Sequence, residues 1–237
     1  MCDALSVGFG EVTMEQSASE KQLYEALASA GTAVIADVFD SLKLQPPVLD
    51  NQLSAVGRAT TFAGPAYTIE GESRLYEGGD RAKLAAIDQM PAGVVALWAG
   101  KDAAGVCCFG DLLASAMRAR GCIAAVVDGG VRDVAYLENL GMPVVSRYKT
   151  PAQGIGRWQV NASQVPVQVR GALTPWVRVE PGDVIVGDAD GVLAIPQGLL
   201  AQVTAKMTEW AQSDTRAREE ILQGLPLLDA LQKYGHL

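Results

Sequence analysis

Three residues in this chain of 237 carry chemistry by their type and spacing: Asp111 and the adjacent pair Arg132-Asp133. Asp111 follows the apolar run Gly105 to Phe109 and opens a stretch with helical periodicity, while Arg132-Asp133 closes the segment Val127-Asp128-Gly129-Gly130-Val131-Arg132-Asp133. Read as a strand-to-helix turn, that segment puts both points at the C-terminal ends of consecutive strands, where open α/β sheets hold ligands. Two aspartates with no histidine or cysteine beside them offer only oxygen, and oxygen donors select a hard cation, magnesium or manganese. One aspartate in direct contact would leave room for several waters and a chelating 2-oxo acid. A cation so placed polarises the ketone and lowers the pKa of a bound water. Arg132 would then meet the oxygen on which charge grows as an enolate forms, and one preorganised donor of this kind contributes about 3 kcal/mol. A helix starting at Asp111 also exposes backbone N–H groups and a positive dipole end, so the amides of Leu112 and Leu113 are candidate anchors for a substrate carboxylate. The expected reaction is cleavage or decarboxylation of a small 2-oxo acid.

Taken singly, these residues have plainer readings. Asp111 suits a helix N-cap, Asp133 a cap or first-turn position, and an Arg-Asp pair is common. The information lies in the combination: Asp111, then Arg132-Asp133 after residues 112–131, with Asp128-Gly129-Gly130 just before the pair.

The elements that must position them follow from periodicity and punctuation. Glu15 to Ala30 reads as an amphipathic helix with Leu23, Ala26 and Leu27 on one face and Gly31 closing it. Thr32 to Leu42 is read as helix, because Asp37 and Asp40 would break a buried strand. Gln45-Pro46-Pro47 is a break, and Thr60 to Glu70, which contains Gly64-Pro65, reads as an irregular or edge strand. Strands and helices then alternate: helix Asp80 to Gln89, strands Gly93 to Trp98 and Gly105 to Phe109, helix Asp111 to Arg120, strand Cys122 to Val127, helix Asp133 to Leu140, strand Pro143 to Ser146. This alternation predicts an α/β fold. Gly154, Gly156 and Asn161 suggest a long loop after Thr150. Short strands follow at Val165 to Arg170, Trp176 to Val179, Asp183 to Val186 and Gly191 to Ile195, separated by turn sequences. Pro196 opens a helical tail to Gly224, and Leu225 to Tyr234 forms a last short helix. No repeat or linker divides residues 1–237, so a single domain is expected.

Composition removes several classes of function. The net charge of −8 argues against nucleic acid, which needs clustered Lys and Arg. No stretch nears the roughly 20 apolar residues of a bilayer span, and Met1 to Gly10 lacks the pattern of a signal peptide, so a cytoplasmic protein is expected. The cysteines Cys2, Cys107, Cys108 and Cys122 form no CxxC pair, which argues against zinc; Cys107 and Cys108 read as buried thiols in an apolar run. There is no GxGxxG cofactor loop. The single histidine, His236, is penultimate and poorly placed for phosphohistidine chemistry. Lys149, between Tyr148 and Thr150, is read as the sole lysine near the motif region and a poor candidate for a Schiff base.

The sequence resembles the RraA-like family of class II aldolases acting on 4-hydroxy-4-methyl-2-oxoglutarate and 4-carboxy-4-hydroxy-2-oxoadipate. The matching text is Gly110-Asp111-Leu112-Leu113-Ala114, the segment Val127 to Asp133, Gly141-Met142-Pro143-Val144, Pro181-Gly182-Asp183-Val184 and Gly187-Asp188-Ala189-Asp190-Gly191-Val192. Gly64-Pro65-Ala66 and Lys233-Tyr234-Gly235 also fit. The resemblance implies a three-layer β/β/α core of the swivelling type with N- and C-terminal helical additions, assembled as homotrimers or homohexamers with sites between subunits. It implies that Asp133 binds the metal directly, Asp111 holds a metal-bound water, Arg132 contacts the oxo or carboxylate oxygens and the enolate, and the backbone of Leu112 and Leu113 holds the pyruvate carboxylate. A further acid would come from the C-terminal helix of a neighbouring subunit, and Asp214 is the positional match.

This sequence departs from the family pattern in three places. Arg157 stands where the aldolases carry a lysine, Asp214 is shorter than the family glutamate, and the stretch Pro166 to Pro181, with Trp176, is longer than usual. Arg forks and is always charged, so it would hold a carboxylate differently from Lys. Some members of the family instead bind and inhibit ribonuclease E without catalysis. Those typically have Gly at the Asp111 position and an acid at the Tyr136 position, so Asp111 and Tyr136 favour the enzyme.

Overall fold

The computed structural model describes residues 8–101, 103 and 105–235, with side chains from residue 19 onward; Cys2 and His236 lie outside the described residues. In chain order the elements are α1 (Gly8–Ala30), α2 (Thr32–Ser41), β1 (Ser54–Ala55), β2 (Phe62–Ser73), α3 (Arg81–Asp88), β3 (Val95–Ala99), β4 (Cys107–Phe109), α4 (Asp111–Ala119), β5 (Ala124–Val131), α5 (Val134–Asn139), β6 (Val144–Lys149), β7 (Trp158–Ser163), β8 (Val167–Arg170), β9 (Trp176–Val179), β10 (Val184–Gly187), β11 (Val192–Ile195), α6 (Gln197–Leu222) and α7 (Leu227–Tyr234).

The alternation of apolar residues along β3 and β5 builds two cores at once. Ala96, Trp98, Ala125 and Val127 face the helices α3, α4 and α5, where they meet Ile87, Ala114, Met117 and Leu137. Val95, Leu97, Ala124 and Val126 face the other way, onto Val167, Val169, Val177 and Val179 of the β8–β9 hairpin and onto Ile185 and Ala194. Successive side chains on a strand point to opposite faces, so strands buried on both sides are apolar throughout, as these are. The result is the β/β/α arrangement implied by the resemblance. A third core, with Leu27, Ile35, Phe39, Val203 and Met207, seats α1, α2 and α6 on β10 and β11.

The main sheet runs β1-β6-β5-β3-β2-β10-β11, with β4 also pairing to β5 and β7 to β2. Strands β2, β3, β5 and β6 are mutually parallel neighbours, and β4 joins β5 in parallel. Strand β2 is central, against the expectation of an irregular or edge strand. Its first residues pair antiparallel with β10, Ala66 to Glu70 pair with β3, and its last residues pair with β7. Pro65 is tolerated because the ladder bond there comes from its neighbour, Ala66 N–H to Asp183 O.

Three further expectations change. The loop expected after Thr150 contains β7, whose Trp158 is fully buried against Trp98. The segment Val127 to Asp133 is strand as far as Val131, so Asp128-Gly129-Gly130 is not a turn. The glycines serve close packing: a Cβ on Gly129 would meet Cys108 Sγ at 2.8 Å, and one on Gly130 would meet Val106 O at 2.7 Å and the Tyr148 ring. On α1, Ala26 is exposed and the inward face is Leu23, Tyr24, Leu27 and Ala28. Among the described residues no helix is long and apolar enough to cross a membrane.

Candidate active site

Strands β4 and β5 end side by side, tied by the Arg132 N–H to Phe109 O bond at 3.2 Å. Their ends place Gly110-Asp111 and Arg132-Asp133 together, as the spacing predicts. Asp133 adopts the left-handed conformation, φ 59°, ψ 38°, which Asp tolerates better than most residues. It occupies the N-cap position of α5, yet its side chain makes no capping bond there. The carboxylate turns instead toward α4: Oδ2 accepts the Asp111 N–H at 3.3 Å and lies 3.3 Å from Arg132 Nε. Gly110 makes this approach possible, because a Cβ at that position would lie 2.6 Å from Asp133 Oδ2.

Asp111 is the first residue of α4 rather than its cap; the cap is Gly110, without a side-chain bond. Its Oδ1 accepts the Leu112 N–H at 2.7 Å, so one of the two expected anchor amides is engaged within the helix turn. Ser115 Oγ donates to Asp111 O at 2.8 Å and shares a hydrogen bond of 2.8 Å with Tyr136 Oη, joining α4 to α5 beside the site.

A cleft of about 270 Å³ opens in front of these residues. One wall is the start of α4 with Arg132; the other is the start of α3, with Asp80, Lys83 and Leu84; Gln153 to Ile155 close the end. Asp111, Leu112, Leu113 and Arg132 line it together with Gly110, and Asp133, which does not line it, lies against Gly110. Arg157 is exposed and outside the lining, its Nη1 donating to Gln153 O at 3.3 Å. Asp214 lies on α6 and does not line the cleft of its own chain.

Lys83 is the residue the sequence reading missed. Lys149 is exposed, whereas Lys83 is 7% exposed and projects into the cleft wall. The signal was present: Lys83, Ala86 and Ile87 share one helical face, so a charge sits where the period demands an apolar residue. Asp128 is the opposite case. It is 2% exposed and faces the β8 side, accepting the Arg170 N–H at 3.2 Å and pairing with Arg170 and Arg147. Burial pushes its carboxyl up, while the two guanidiniums and the Arg170 N–H pull it down. Its role is to tie β5 to β6 and β8.

Among the described residues no three acids, histidines or cysteines converge as a metal cage. The donors at hand are the Asp133 and Asp111 carboxylates, all oxygen. That set fits only a hard cation that completes its shell with water and substrate oxygens, as magnesium does.

A mixed sheet with a parallel centre, covered by helices on one face and a hairpin on the other, is a fold shared with known proteins. The sequence profile of the RraA-like family, Aldolase/RraA, matches residues 32–194, and the chain belongs to that family. A Halalkalibacterium halodurans protein with the provisional name 4-hydroxy-4-methyl-2-oxoglutarate aldolase is 32% identical over 199 residues, covering 81% of this chain and 84% of that one. Protein DlpA of Legionella pneumophila is 27% identical over 220 residues; the alignment takes in 92% of this chain but spans only 35% of DlpA. The crystal structure of Streptomyces coelicolor RraAS2, described as an unusual member of the RNase ES inhibitor RraA protein family, superposes with a TM-score of 0.71 at 24% identity, over 83% of this chain and 96% of that one, a likeness of fold.

Proposed function

We propose that this protein is a divalent-metal-dependent lyase that cleaves a 4-hydroxy-2-oxo acid by a retro-aldol reaction, releasing pyruvate, and that it also decarboxylates oxaloacetate. The observation that carries the reading is the Asp133 carboxylate, turned from its own helix and held beside the guanidinium of Arg132, which lines the cleft. The name of the Halalkalibacterium relative supports the same class of substrate.

Asp133 and Asp111 would hold the cation, magnesium or manganese, which when bound supplies Lewis-acid polarisation of the 2-oxo group. The chain's own groups do the rest. The start of α4, with the Leu113 amide, receives the substrate carboxylate. A water ordered by Asp111 takes the proton of the 4-hydroxyl group. The C3–C4 bond then breaks, the electron pair moves toward the 2-oxo oxygen, and the fragment carrying C4 leaves as an oxo compound. Arg132 donates to the enolate oxygen as it gains charge, and protonation at C3 gives pyruvate. Decarboxylation of oxaloacetate passes through the same enolate. Arg157 would meet substrate only if the turn from Gln153 closes over the cleft, and Asp214 only from a neighbouring subunit of a homotrimer or homohexamer.

The test is a pyruvate-release screen over oxaloacetate and branched 4-hydroxy-2-oxo acids with magnesium, manganese and EDTA. Metal-dependent release that Asp133→Ala abolishes is the expected result. EDTA-sensitive turnover that survives in Asp133→Ala would overturn the assignment. Tight binding to a ribonuclease E without pyruvate release from any acid would favour the non-catalytic family role instead.

A further inference from the structure

The second charged wall of the cleft has no part in the chemistry above. Lys83 lies on the buried face of α3, its side chain 9% exposed, and its Nζ is 3.5 Å from Asp80 Oδ2 and 4.9 Å from the centre of the Trp158 ring. Asp80 is already well satisfied without it. Its Oδ1 accepts the Lys83 N–H at 3.0 Å as the N-cap of α3, and its Oδ2 accepts the Val160 N–H at 3.0 Å. The ammonium has three donors, and Asp80, at long range, is its single ionic partner among the described residues. Taking an ammonium out of water is costly unless strong partners replace the water, and a buried face of a helix otherwise takes an apolar residue. Lys83 lines the same cleft as Arg132 and the start of α4.

We infer that Lys83 is a specificity residue that receives a second, distal carboxylate of the substrate. This deepens, and rests on, the lyase reading. A 2-oxo acid anchored by its C1 carboxylate at α4, with its oxo group beside Arg132, extends its far end toward α3. There the Lys83 ammonium, on a side chain that is itself almost wholly buried, forms a charge-assisted hydrogen bond. Asp80 keeps the ammonium in place and sets a condition on the occupant: a neutral tail would leave the donors of Lys83 that do not face Asp80 without an acceptor. The cleft thus selects dicarboxylic over monocarboxylic 2-oxo acids.

Two measurements on the full chain with magnesium or manganese test this. The first is deuterium exchange into the methyl group of pyruvate, which needs enolate formation but no distal carboxylate. The second is kcat/KM for 4-hydroxy-4-methyl-2-oxoglutarate against 4-hydroxy-4-methyl-2-oxopentanoate, which has a methyl group in place of the far carboxylate. The wild type should exchange pyruvate and prefer the dicarboxylate by about tenfold or more. Lys83→Met should exchange pyruvate at the wild-type rate and lose the preference through a raised KM, and Lys83→Arg should restore part of it. A preference unchanged in Lys83→Met overturns the proposal. So does a wild type with no preference, whatever the fate of the variant on folding, and so does borohydride trapping of pyruvate on Lys83. Absence of pyruvate exchange in the wild type would instead sink the lyase reading itself, and this assignment with it.

Discussion

The carboxylate of Asp133 accepts the backbone N–H of Asp111 at 3.3 Å, so the last residue of the β5 turn is joined to the first residue of α4. This bond ties the Asp133 carboxylate to the backbone of the residue that carries the other acid of the site. It also accounts for the left-handed backbone of Asp133, which sends the carboxylate away from α5.

Gly110→Ala should therefore damage the site more than the fold. The backbone there is extended, φ −153°, ψ −169°, and accepts any residue, but the added methyl carbon would lie 2.6 Å from Asp133 Oδ2. We expect pyruvate-releasing activity to fall by roughly tenfold or more, since misplacement of about 1 Å can cost far more than that, while the thermal midpoint moves little. Wild-type activity in this variant would show that the Asp133–Asp111 bond is dispensable.

Arg132→Lys tests the fork. Lysine keeps the charge but loses the planar donors that address Asp133 and the cleft together. A fall in kcat of about a hundredfold, with KM for pyruvate-forming substrates changed less, is the expected signature of a donor used in the transition state. Equal kinetics in the two enzymes would remove Arg132 from the chemistry.

Cys108 borders the cleft but should not react. Burial pushes its thiol up to about 12, with Lys83 opposing only in part. The thiolate is the nucleophile, so at pH 8 iodoacetamide should leave Cys108 unlabelled in the native protein and label it after unfolding. Mass spectrometry of peptides from native and denatured samples decides the matter.

The tail gives a pH prediction. Lys233 Nζ on α7 lies 2.6 Å from Glu220 Oε2 on α6. The hydrogen bond from Lys233 holds the Glu220 carboxyl below its ordinary value of 4.5, and the same bond from Glu220 raises the Lys233 ammonium above 10.5. A lowered acid contributes stability above its unfolded value, lost as pH falls through the folded one; a raised base contributes below its unfolded value, lost as pH rises through the folded one. The protection of α7 amides, with the intrinsic pH dependence of exchange divided out, should thus be highest between these limits and fall below about pH 4.5, with Glu220→Gln less protected inside that window and converging on the wild type below it.

How much of this was legible follows from which signals are local. The helices α3, α4 and α5 and the strands between them show as period and punctuation, and the site pair emerges because both members lie directly after apolar strands. Strand β2 was harder. Gly64-Pro65 looks like an edge until β10, distant in sequence, supplies a partner that makes no demand on the proline. β7 was hidden because its turn glycines and Asn161 outweigh a strand whose single large anchor is Trp158. Asp128 belongs to the motif that precedes the pair, yet on a strand its parity sends it to the opposite face, onto Arg170. Lys83 lies far from the Arg132-Asp133 pair in sequence, and only its place among Ala86 and Ile87 on the buried face of α3 marks it.

The shared pairing of β2 has a consequence for biosynthesis. As the chain leaves the ribosome, β2 and its parallel neighbours emerge with one edge bare, and that edge stays bare until residues 184–187 arrive to cover it. Contacts so far apart in sequence form late and slow folding, and an unsatisfied strand edge invites association with other chains in the interval. Nascent chains arrested before residue 184 should bind chaperones that chains extended past α6 release.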